Sequence, residues 1–171
     1  MFYFDSVLKN YEDKFDWDLA LIHLENLYKD ESIELLTTLI GFSWYYLAEG
    51  PVESKLYSKD DDVYPMKIWK KYVDLVINKK IENQYLCYIL GYTLSLHGEY
   101  LGNDYLMYGK KYIRFAEEIC TDYRLKSLID AFIEMEQQKK YKPIYVSEEL
   151  LKSLFDKDSL LDKYFIELYS K

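Results

Sequence analysis

The stretch from Ser32 to Gly50-Pro51 reads as a helix that is apolar on most of its sides. Leu35, Leu36, Leu39, Ile40, Phe42, Trp44, Tyr46 and Leu47 leave no face for water. A helix that is hydrophobic all round has to be surrounded by other elements. At 13 residues, the apolar run Leu35–Leu47 is too short to span a bilayer, and it contains Thr37, Thr38 and Ser43. It therefore predicts a buried central helix with further helices packed around it. Ser32 suits its N-cap, and Gly50 followed by Pro51 suits its end.

The remaining elements follow from periodicity. After a short leader, Asp16 is placed to cap a helix running to about Asp30, with Ala20, Leu21, Leu24, Leu27 and Tyr28 on one face. A polar linker from Val52 to Tyr64 ends in the acidic run Lys59-Asp60-Asp61-Asp62. Pro65 suits the first turn of a helix over 65–79, striped by Trp69, Val73, Val76 and Ile77. A helix over 82–97 carries Leu86, Ile89, Leu90 and Leu96 and stops at Gly98. Asn103 or Asp104 opens the next, Thr121 or Asp122 another, and a break at 139–147 contains Pro143. Ser147 opens a seventh helix, and Asp158 or Ser159 the last. Gly numbers only 6 and Pro only 3, too few for the turns of a β fold. The expected fold is all-α, about seven to eight helices packed as antiparallel hairpins in one domain spanning 1–171. Leu39-Ile-Gly-Phe42 and Ile89-Leu-Gly-Tyr92 occupy like places in two helices, which suggests a degenerate repeat in which Gly41 and Gly91 permit close helix approach.

Charge is distributed unevenly. Residues 1–62 carry 14 acids against 5 lysines, whereas residues 63–171 carry 16 acids against 17 bases. The net charge of −8 therefore lies in the first third, where it repels nucleic acid and attracts basic partners. Neither a membrane nor a nucleic acid is expected as partner. The N-terminus lacks a basic region and a cleavage site, and Cys87 and Cys120 show no CxxC spacing, so a cytoplasmic chain with reduced thiols is expected.

No residue pattern points to catalysis, a metal or a cofactor. His23 and His97 share no ligand spacing, and Asp60–Asp62 lacks the alternation and glycine of a calcium loop. Cys87 sits among apolar neighbours, without an activating base nearby in sequence. The acids Glu117, Glu118, Asp130 and Glu134 read as solvated helix faces. So do the basic groups Lys67, Lys70, Lys71 and Lys139, Lys140, Lys142.

The most distinctive stretch is Gly41-Phe-Ser-Trp-Tyr-Tyr-Leu-Ala-Glu-Gly-Pro-Val-Glu53, in which aromatics lead into an acidic turn. With its size, acidity and 20 tyrosines, the chain resembles the small, acidic, all-helical immunity proteins of bacterial contact-dependent and polymorphic toxin systems. The resemblance implies a basic toxin domain as partner and a non-enzymatic inhibitor as function. Tyr45, Tyr46, Glu49, Glu53, Asp60, Asp61 and Asp62 are the expected contact residues, with Tyr45 or Tyr46 exposed as the aromatic anchor. Two alternatives remain: a helical-repeat adaptor gripping a peptide in a tyrosine-lined groove, and a hydrolase gathering carboxylates around His23 or His97.

Overall fold

In a computed structural model, residues 1–28, 32–49, 64–138 and 144–170 are described. They form nine α-helices and one short 3-10 turn, and no strand occurs among them. None of these helices is long and apolar enough to cross a membrane. Of the linker expected from Val52 to Tyr64, residues 52–63 lie outside the described residues, as do Gly50-Pro51, the acidic run, Pro143 and Lys139, Lys140 and Lys142, while Tyr64 already begins a helix.

The short leader before Asp16 is itself a helix, α1 (Ser6–Asp13). Asp5 caps it by accepting from the amides of Val7 and Leu8. With two turns and only Leu8 and Glu12 buried, α1 has too little periodicity to stand out. Asp16 does occupy the N-cap of α2 (Trp17–Leu27), although its side chain makes no cap bond. The central helix is α3 (Ile33–Glu49), with α2, α4 (Tyr64–Lys79), α5 (Gln84–His97) and α9 (Leu160–Tyr169) packed against it. Its buried hydroxyls are satisfied locally: Thr37, Thr38 and Ser43 donate to the carbonyls of Ile33, Glu34 and Leu39. Thr38 also accepts the amide of Tyr3. Burying these groups therefore carries none of the cost of an unpaired donor.

After the 3-10 turn Gly98–Tyr100 come α6 (Asn103–Ile119), α7 (Tyr123–Gln137) and α8 (Glu148–Leu154). Asn83, Asp122, Ser147 and Ser159 cap α5, α7, α8 and α9 through their side chains. Ser159 and Asp162 complete a reciprocal capping box.

The tightest junction is α5 against α6, and glycine sets it. A Cβ on Gly91 would sit 2.7 Å from the amide nitrogen of Ile113, and one on Gly109 2.5 Å from that of Ser95. Gly41, by contrast, would meet only side-chain atoms of Leu161, Phe2 and Ile89, at 3.2 Å or more. The two Leu/Ile-x-Gly segments are thus not equivalent: one seats a backbone and the other a row of side chains.

The chain closes on itself around phenylalanine. Phe2 is fully buried and stacks on Phe155 and Phe165 at 6.2 and 5.9 Å. Lys157 donates to the Phe2 carbonyl and pairs with Glu34. Two tyrosine hydroxyl pairs, Tyr88 with Tyr169 (3.1 Å) and Tyr92 with Tyr164 (2.8 Å), stitch α5 to α9. Many of the tyrosines thus serve the core edge, where a ring is buried and a hydroxyl finds a partner.

Candidate protein-binding surface

The expected contact residues separate in the structure. Tyr46 is only 6% exposed. Its ring lies 5.2 Å from that of Trp17, and its hydroxyl donates to Asp18 at 3.1 Å. Burial, reinforced by Asp18, pushes its pKa up to about 12. Tyr46 therefore belongs to the α2–α3 junction and offers no free ring, which corrects its placement as an exposed anchor. Tyr45 is half-buried, stacked on Trp17 at 5.6 Å and set edge-on to Tyr164 at 5.4 Å. Glu49 is exposed at the end of α3. Glu53, Asp60, Asp61 and Asp62 lie outside the described residues.

An apolar, exposed face appears instead on the α1–α2 hairpin. The inward stripe of α2 is Trp17, Ala20, Leu21 and Leu24. Leu19 and Ile22 face outward one turn apart, 46% and 43% exposed. At the turn just before them stands Phe15, 72% exposed, and Val7 on α1 is exposed as well. Phe15 also has a φ of 59°. For a bulky aromatic this left-handed conformation costs roughly 1–2 kcal/mol, and such strain collects at binding sites. Around these side chains stand Asp13, Asp16 and Asp18, with Lys14 among them, all exposed. Asp13 lies 3.6 Å from Lys9 and Asp18 accepts from Tyr46, while Asp16 has no ion pair among the described residues.

The hairpin is held from beneath. His23 Nε2 meets Asp5 Oδ2 at 3.0 Å, and the Tyr3 hydroxyl donates to the same carboxylate. Burial alone would raise the Asp5 pKa, but the hydrogen bonds from Leu8, Tyr3 and His23 outweigh it and hold it low. On the far side, Glu25 accepts from Tyr64, Tyr72 and Lys71, pinning α2 to α4. Lys70 likewise bridges Asp74 and Tyr105, so the lysines of α4 are engaged and do not form a bare basic stripe.

No family model matches the chain, and no curated protein or solved structure is significantly similar to it.

Three further titratable groups, His97, Glu12 and Cys87, have structural partners. His97 accepts the indole N–H of Trp44 on Nδ1 at 2.9 Å. This bond fixes the neutral tautomer, and burial lowers the His97 pKa. Glu12 is buried and accepts the amide of Leu160 at the start of α9; burial pushes its pKa up to about 7. Burial also raises the Cys87 thiol to about 11, opposite to what a nucleophile needs. Among the described residues, no three of His, Cys, Asp and Glu are grouped to hold a metal ion.

These two groups give opposite pH dependences. Glu12 has a folded pKa above its unfolded one, so its contribution is full below about pH 4.5 and is lost as pH rises through about 7. His97 has a folded pKa below its unfolded one, so its contribution is full above about pH 6.5 and is lost as pH falls. Glu12→Gln keeps an oxygen for the Leu160 amide and removes the charge. It is expected to stabilise the protein by about 1–2 kcal/mol at pH 8 and to change little at pH 5. Urea midpoints for both proteins from pH 5 to 8 check this, and parallel profiles would exclude the buried charge as the cause.

Outward-facing Leu19 and Ile22 were legible in the sequence as the apolar residues left over once the inward stripe of α2 is assigned. Nothing in the sequence signalled the conformation of Phe15.

Proposed function

We propose that this chain is a non-enzymatic inhibitor that acts in the cytoplasm by binding and occluding a basic toxin domain, in the manner of bacterial immunity proteins. The observation that carries this reading is the apolar face of Phe15, Leu19 and Ile22, set among Asp13, Asp16 and Asp18 in the third of the chain that holds all the excess negative charge. Acidic residues around an apolar centre suit a basic protein: charge steers the encounter, and buried anchors slow dissociation. Tyr45 and Glu49 extend the surface along α3 from the junction with α2.

Co-expression with the product of the neighbouring gene tests the proposal, using pull-down at low and high salt and growth as readouts. A 1:1 complex that weakens with salt and rescues cells from that product supports it. Absence of both complex and rescue removes it. One observation favours a groove-binding adaptor as the second reading. Tyr108, Tyr112 and Phe115, with Ile77 and Ile81, line a cleft of about 260 Å³ between α4 and α6, flanked by Lys80, Lys111 and Glu82. A captured partner that is insensitive to changes at Phe15 but lost on Tyr112→Ala would favour that reading.

A further inference from the structure

The α6 helix presents a surface opposite in sign to the α1–α2 face. Lys110, Lys111 and Arg114 are exposed on it, and none of them has an ion pair or hydrogen bond among the described residues. Several bases elsewhere are paired: Lys70 is held by Asp74, Lys71 by Glu25, Lys126 by Glu117 and Asp130, and Arg124 by Asp122. Beside these cations stands Met107, 74% exposed. With half-buried Phe115 and the carboxylate of Glu118, these residues line a shallow groove of about 540 Å³.

We propose that this groove receives the α1–α2 face of a second copy of the chain, so that copies associate head to tail. The complementarity lies within one sequence. Phe15, 72% exposed, is a projecting apolar knob, and the groove offers it a Met thioether and two cations over its ring. Asp13, Asp16 and Asp18, with Lys14 among them, face Lys110, Lys111 and Arg114, with Glu118 among them: three acids and one base against three bases and one acid. The two surfaces differ, so the contact is heterologous and leads to open chains or closed rings rather than a two-fold dimer. Copies bearing −8 each repel one another at long range. At 0.15 M salt that repulsion is screened beyond about 8 Å, whereas charges in direct contact still attract. The association is of the weak kind, with an expected dissociation constant on the order of 100 µM. It uses the same face as the proposed function, so a basic partner bound there would displace the second copy.

Sedimentation velocity of the chain alone tests this without any foreign partner, so its outcome is separate from that of the co-expression experiment. The weight-average mass is expected to rise with concentration at 0.15 M salt and to return to the monomer at 1 M. Two exposed-surface variants, F15D/L19D and K111E/R114E, are each expected to stay monomeric with unchanged circular dichroism and thermal midpoint. Mixed together they should form a 1:1 dimer and nothing larger, because each retains one intact half of the contact. Monomer at every concentration would overturn the proposal. So would association that survives either variant, or variants that fail to pair on mixing. Nucleic acid co-purifying with a monomeric wild type and lost with K111E/R114E would also overturn it, assigning the cations to a polyanion.

Discussion

Gly109→Ala is expected to destabilise the protein by about 2–3 kcal/mol, lowering the thermal midpoint by roughly 6–10 °C. Ala in place of Gly within a helix normally gains about 1 kcal/mol, so the sign of the effect is informative. At Gly109 the new Cβ would lie 2.5 Å from the Ser95 nitrogen, 2.8 Å from the Leu94 carbonyl carbon and 2.9 Å from the Ser95 Cα. All three are backbone atoms of α5, so no side chain can rotate away and the helices must separate. Gly41→Ala is the control. Its nearest neighbour is the terminal methyl carbon of Leu161 at 3.2 Å, which can yield by a few tenths of an ångström. That variant is expected to match or slightly exceed the wild type. Thermal or urea unfolding of both proteins decides the matter, and equal stability of the two would mean that α5 and α6 are not held by backbone approach.

Phe15→Gly is expected to weaken capture of the proposed basic partner at least 30-fold, while leaving the fold no less stable. The two effects have separate causes. Glycine adopts the φ of 59° without the clash that Phe suffers there, which offsets the extra freedom glycine gains when unfolded. At 72% exposed, Phe15 contributes little burial that could be lost from the core. An exposed aromatic held in a strained conformation costs the isolated chain stability and gives a partner a rigid anchor. Isothermal titration of the complex together with urea unfolding of the free variant separates these terms. Undiminished binding would move the contact away from the α1–α2 turn, towards Tyr45 and Glu49 or the α4–α6 cleft.

The apolar segment 33–49 made the centre of the fold legible, because a helix without a polar side must be enclosed. Ser32 and Ser147 cap where the sequence places them, and of the paired candidates Thr121 or Asp122 and Asp158 or Ser159 it is the second that makes the side-chain bond in each case. The first helix escaped notice because its stability comes from Asp5, Tyr3 and His23 rather than from an apolar stripe. Gly109 escaped for a different reason: a glycine's neighbours are properties of the packed pair, not of its own helix. The candidate surface was legible by sign but not by residue. Acidity in the first third was visible from composition, yet periodicity alone does not tell which aromatics turn inward. Tyr46 faces Trp17 and Asp18, a pairing between two helices that no local spacing encodes.

The glycine-seated hairpin also bears on the order in which this chain acquires its structure. Gly91 and Ile113 meet across one short connection, so bringing α5 and α6 together costs little loop-closure entropy. The clasp around Phe2 joins positions 148 and 155 residues apart, at Glu12 with Leu160 and at Phe2 with Lys157. Local contacts are favoured early in folding, and distant ones form once the intervening chain is in place. Substitutions in the α5–α6 seam are therefore expected to slow refolding, with φ-values above about 0.5, whereas those at Phe165 mainly speed unfolding. The barrier is crossed by the middle of the chain, and the two ends are fastened together afterwards.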